Sequence, residues 1–281
     1  MSGQNRVDMA EIRSILLHLD ARPGSASRLA IAHALADRHG AELTALFGVR
    51  PSPAQASFAY SASAALQAVA ERIAPREGER ERLMALVATG ERECVWCDVV
   101  GDSVVHGFVA EAAYADLLIV GAPTDGDEGG PPHGFVEAVV LQSAAPALVV
   151  PHPLRRETVG ERAFVAWNGS VQAARALKAA LPLLQRAAEV HVASWSARTP
   201  AAPFSGLDVG RWLRRHGIDA RISTHAPVSH VENALRAEVE RLRCDLVVMG
   251  CYGHSRIREQ VFGGVTRALL AQPPAPVLMA H

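Results

Sequence analysis

The sequence is poor in the features that define several broad classes of protein. Its four cysteines, Cys94, Cys97, Cys244 and Cys251, are too few in 281 residues for a secreted disulfide framework, so reduced thiols are expected. Cys94 and Cys97 have the spacing of a redox pair, but they sit in a strand-like run. A strand turns residues three apart to opposite faces, whereas redox pairs open a helix. Neither sign of charge is in excess: 28 Lys and Arg face 29 Asp and Glu, for a net charge of −1, which disfavours generic nucleic-acid binding. No apolar run approaches the roughly 18 residues that span a bilayer. The opening residues lack the apolar core of a signal peptide, so a cytoplasmic protein without membrane contact is expected. Twelve histidines fall without His-x3-His or Cys/His spacing, and no metal site is assigned. There is no Gly-x-Ser-x-Gly elbow, no Gly-x4-Gly-Lys loop, and no lysine in a glycine loop of the kind phosphoryl transfer uses. No catalytic residue is assigned.

What is present is a duplicated α/β pattern. Hydrophobic residues make up 49% and charged residues 20% of the chain, a globular balance, and the length suits two domains of about 140 residues. Strand patterns over 11–20, 41–49, 95–100, 116–121 and 146–151 alternate with helical patterns over 25–39, from 71, 103–114 and 134–143; the stretch 51–70 is loop-like. Residues 153–161 are polar and aperiodic, a linker. The order then repeats: strands at 162–170, 189–195, 219–225, 246–250 and 275–279, helices at 171–184, 209–216, 231–243 and from 264. The reading is two tandem doubly wound domains, 1–152 and 162–281, each a five-stranded parallel sheet in order 3-2-1-4-5 with helices on both faces, related by a pseudo-two-fold.

The most informative stretch follows the fourth strand of the second repeat. Leu246-Val-Val-Met-Gly250 is followed by Gly253, His254, Arg256, Arg258, Gly263, Gly264, Val265 and Thr266. Glycines at a strand exit allow sharp turns and close approach of an anion to backbone amides. The helix start at 263–266 adds unpaired N–H groups and a favourable dipole. In the first repeat Gly121 and Gly134 keep the same separation, but Thr124 replaces the inner glycine, Phe135 and Glu137 stand opposite Gly264 and Thr266, and Asp125, Asp127 and Glu128 add negative charge. That repeat is expected to have lost anion binding.

The spacing Gly-x2-Gly-x9-Gly from Gly250 through Gly253 to Gly263, with Thr266 beyond it, resembles the ATP-binding signature of the universal stress protein family. Asp245-Leu-Val-Val-Met-Gly before it, Ala275-Pro-Val-Leu-Met after it, and Ala166-Trp-Asn-Gly-Ser170 at the first strand also resemble that family, and the resemblance covers both repeats. It implies ATP, with or without Mg2+, in the second domain. Asn168 would meet the adenosine, backbone groups of Val192 and Ala193 an adenine edge, and Gly250, Gly253, His254, Arg256, Gly263, Gly264, Val265 and Thr266 the phosphates. Two positions depart from the family pattern. Asn168 stands where Asp is usual, and Gly264 where a hydroxyl residue follows the third glycine. The resemblance further implies that the closing strands of the two repeats pair, making an intrachain pseudo-dimer, with homodimers and a protein partner as further associations. Three readings stay open: an adenine-nucleotide-binding regulatory protein, a non-binding tandem interaction module, and a slow ATP hydrolase.

Overall fold

The computed structural model describes residues 10–48, 77–89, 92–99, 104–124, 129–156, 158–195, 208–251 and 264–281. The chain forms two compact units, Arg13–Ala145 and Pro146–His281, the latter taking in the segment that ends at Ile12. The loop expected at 51–70 lies outside the described residues.

The first unit contains β1 (Ser14–Leu19), α1 (Gly24–His39), β2 (Glu42–Phe47), helical residues 77–88 (α2), β3 (Cys94–Asp98), α3 (Val104–Glu111), β4 (Leu117–Gly121) and α4 (Phe135–Gln142). Its strands are parallel in the order β3-β2-β1-β4. Five of the six β1 residues and the first four of β4 are buried, the pattern of parallel strands covered on both faces. α1 stops at Gly40, whose φ of 71° is a left-handed C-terminal cap donating to the Ala36 carbonyl.

The second unit contains β5 (Ala147–Val150), β6 (Arg162–Ala166), α5 (Val171–Ala179), α6 (Leu181–Leu184), β7 (Glu189–Trp195), α7 (Val209–Arg215), β8 (Ala220–His225), α8 (Val231–Arg241), β9 (Leu246–Gly250), α9 (Gly264–Ala271) and β10 (Val277–Ala280). The order is β5-β10-β9-β6-β7-β8. From β10 to β8 the strands are parallel and give the expected 5-4-1-2-3 sequence of the repeat. The single helix expected over 171–184 is two, because Pro182 stands at the start of the second, where a missing N–H costs nothing.

β5 pairs antiparallel with β10, Val149 opposite Val277 and Leu148 opposite Leu278. The last strand of the first sequence repeat therefore packs within the second compact unit. One device serves both units. Asp116 Oδ2 accepts from the amides of Arg13 and Ser14 at 2.9 and 3.0 Å. Asp245 accepts from those of Gly160, Glu161 and Arg162 at 3.2, 3.1 and 2.8 Å. Each carboxylate stands just before a fourth strand and ties down the amides entering the first.

Candidate functional site

In the second unit β6 and β9 are parallel neighbours, with Ala166 opposite Met249. From β6 the sheet continues on one side to β7 and from β9 on the other to β10, so their carboxyl ends flank the point where the winding reverses, the usual ligand position in an open parallel sheet. Asn168 and Gly250 lie at that end. Asn168 is exposed; its Oδ1 accepts from the Ser170 amide at 3.0 Å, an Asx turn completed by Gly169 at φ 73°. Ser170 then caps α5 by accepting from the Ala173 amide at 3.1 Å. Gly250 has a packing reason for being glycine: a Cβ there would stand 2.3 Å from the Ala173 nitrogen and 2.4 Å from the Gln172 carbonyl carbon. The backbone of α5 rests on the strand end.

Among the described residues, a Cβ at Gly264 would meet nothing within 4 Å. Gly264 is exposed, Val265 half-buried and Thr266 buried. Val192 and Ala193 are buried within the ladder, and the Ala193 carbonyl accepts from the Trp167 amide at 2.8 Å. β7 ends at Trp195, where the sequence places its end, so Val192 and Ala193 lie three and two residues before its carboxyl end. Gly253, His254, Arg256, Arg258 and Gly263 lie outside the described residues.

The matching place in the first unit is filled by the chain itself. Asp20, at the end of β1, makes the same Asx turn, accepting from the Arg22 amide at 3.1 Å. Its Oδ1 also accepts from Ser25 Oγ at 2.8 Å and pairs with Arg28 Nη2 at 2.9 Å, and both charged side chains are about 95% buried. Arg28 Nε donates to the His18 carbonyl at 3.2 Å. A Cβ on Gly121 would lie 2.3 Å from Arg28 Nη1, so the guanidinium covers the end of β4. Burial alone would raise the Asp20 pKa, but the Arg28 charge, with help from His18, Ser25 and Arg22, holds the carboxyl below its ordinary value. His18 lies 4.5 Å from Phe135, ring centre to ring centre, and bonds to the Gly48 carbonyl through Nε2 at 2.9 Å. Burial drives its pKa down to about 4, so it is neutral at pH 7.

Counting from Asp20 and Asn168, Ser25 and Arg28 correspond to Ala173 and Ala176 in the second unit. That difference was visible in the sequence but looked like ordinary variation on a helix. Asp125, Asp127 and Glu128 lie outside the described residues, and the filling of the first site rests on Arg28.

Three of the four thiols are poorly suited to redox chemistry. Burial pushes Cys94 and Cys244 up to about 11 and Cys251 up to about 12, opposite to thiolate activation. Among the described residues no group of three or more His, Cys, Asp or Glu could hold a metal ion, and no helix is long and apolar enough to cross a membrane.

Fold and site together define a tandem doubly wound α/β protein with one switch point packed by an internal ion pair and the other bordered by alanines. Residues 161–281 match the family described as Universal stress protein family. Those residues, the second module, form a domain of that family. It is similar to Universal stress protein Slr1230 of Synechocystis, 28% identical over 154 residues, which are 51% of this chain and 49% of that one. The chain thus spans about half the length of the curated relative it matches. Among solved structures, a universal stress protein from Archaeoglobus fulgidus DSM 4304 superposes with a TM-score of 0.68 at 16% identity over 95% of both chains. A functionally unknown protein from Pseudomonas aeruginosa PAO1 does so with 0.62 at 14% identity, over 96% of this chain and 92% of that one. These likenesses carry the tandem fold across both modules.

Proposed function

We propose that the second module binds an adenine nucleotide, ATP in the first instance, and that the protein is a nucleotide-responsive regulatory protein of the cytoplasm rather than a catalyst. The observation that carries this reading is the contrast between the modules. Where the first seats the Ser25–Arg28–Asp20 network over Gly121, the second has Ala173 and Ala176 beside an exposed Asn168. Asn168 would hold the sugar or base by hydrogen bonding, since its amide both donates and accepts. The phosphates would lie against the amides at the start of α9, near Gly264, which carries no Cβ of its own. The sequence adds Gly253, Gly263 and the cations Arg256 and Arg258 to that wall. Mg2+, if taken up, would arrive on the phosphates.

The test is a thermal-shift titration with ATP, together with mass spectrometry of gently denatured protein for co-purified nucleotide, with Gly253→Asp as control. ATP at about 100 times its Kd adds about 2.7 kcal/mol of stability, a shift readily seen. Protein that carries no nucleotide and does not move in millimolar ATP would overturn this reading and leave the interaction module in its place.

A further inference from the structure

The structure assigns a base-stacking platform to Trp195, backed by His225; the assignment rests on the nucleotide-binding reading above and adds the side chain that grips the base. Trp195 is the last residue of β7, at the carboxyl end of the sheet beside Asn168. Its ring stacks on His225 across the β7–β8 pair, with centroids 5.1 Å apart and planes 17° from parallel. His225 is oriented in turn by Ser223, whose Oγ lies 3.0 Å from its Nε2.

Rings stacked across neighbouring strands have their faces directed along the sheet. β7 lies between β6 and β8, so the indole face opposite His225 looks toward the end of β6. The β6–β7 register pairs Arg162 with Glu189 and Ala166 with Ala193; carried two residues further, it would set position 168 opposite 195. The chain does not continue there. Gly169 turns it into α5, whose backbone rests on Gly250. Side chains alternate along a strand, so Ala166, Ala193 and Trp195 share one sheet face. Of these, Ala193 is buried and Ala166 half-buried, so the methyl left beside the indole is that of Ala166. Phe164 lies 6.3 Å from the indole, ring centre to ring centre, and is tilted by 36°. Trp195 is only half-buried. An aromatic ring held from behind, an alanine floor and an exposed amide alongside suit a flat heterocycle joined to a polar sugar.

Stacking on an indole favours a large purine and does not by itself distinguish adenine from guanine. The ligand class is therefore a purine nucleotide, its base on Trp195 and its sugar toward Asn168.

The experiment measures ATP and inorganic tripolyphosphate by calorimetry on wild type, Trp195→Leu and Trp195→Phe, with near-ultraviolet circular dichroism to verify the fold. Trp195→Leu keeps the apolar bulk and removes the stack; it should weaken ATP binding by at least about fivefold and leave tripolyphosphate within roughly twofold, while Trp195→Phe restores most of the ATP affinity. Unchanged ATP affinity in Trp195→Leu overturns the platform and leaves nucleotide binding intact, as does an equal loss for both ligands, which would mark a structural defect. Wild type that binds no ATP overturns both readings. If Trp195→Leu does not fold, Trp195→Phe alone decides, by whether it binds ATP but favours purine over pyrimidine triphosphates less strongly than wild type.

Discussion

Removing the charge of Arg28 while keeping its length, as Arg28→Met, tests the account of the first module. In the wild type Asp20 and Arg28 are both about 95% buried and 2.9 Å apart, and Asp20 also accepts from Ser25 Oγ and the Arg22 amide. Methionine would leave a buried carboxylate with hydrogen bonds and no countercharge, which costs about 3–5 kcal/mol, or a fall of roughly 10 °C in the melting of that unit. The pH dependence should also change sign. In the wild type the folded pKa of Asp20 lies below the unfolded value, so its stabilisation is present above about pH 4 and is lost as the pH falls further. In Arg28→Met desolvation prevails and the folded pKa rises above the unfolded one, so stability should fall as pH climbs from 4 toward 7. Adding Asp20→Asn should then recover most of the loss. The assay is urea unfolding at several pH values, with hydrogen exchange read on peptides covering β1 and β4. A single variant within about 1 kcal/mol of wild type, or no recovery in the double variant, would refute the claim that this pair organises the first switch point.

Three further outcomes are expected. Gly250→Ala should lose about 1–3 kcal/mol in urea unfolding, because its methyl would meet the α5 backbone at 2.3 Å, whereas Gly264→Ala, with nothing within 4 Å among the described residues, should be neutral or slightly stabilising. With its folded pKa near 4 and its unfolded value near 6.5, His18 favours unfolding as pH drops between those values, by about 3 kcal/mol in all; His18→Asn should flatten that part of the stability profile, and nuclear magnetic resonance should show the wild-type ring neutral at pH 6. Asp245→Ala should destabilise the second unit by about 2–4 kcal/mol, since three amides entering β6 lose one charged acceptor, and amide exchange at Gly160–Arg162 should accelerate first.

The tandem architecture was legible because buried parallel strands carry apolar runs of fixed length, and the words Asp116-Leu-Leu-Ile-Val-Gly and Asp245-Leu-Val-Val-Met-Gly mark the same place in each repeat. The site was legible only in part. Asn168 and Gly250 could be put at one end of the sheet from strand order, but that Gly250 receives the backbone of α5 is a tertiary fact that spacing does not encode. The burial of Arg28 against Asp20 and Gly121 is a tertiary contact that the helical pattern around Leu29 does not encode. Trp195 went unassigned although the sequence ends its strand at 195, because its stack on His225 is a cross-strand contact that an apolar pattern does not encode.

The antiparallel seam between Val149 and Val277 has a practical consequence for anyone dividing this chain. A fragment cut at the polar joint near residue 153 would strip β10 of its antiparallel neighbour and leave one edge of Val277, Leu278 and Met279 as a bare row of amides and carbonyls, a template for self-association. A fragment beginning near Pro146 keeps β5 paired on β10. The sequence repeat closes after β5, whereas the second compact unit opens before it.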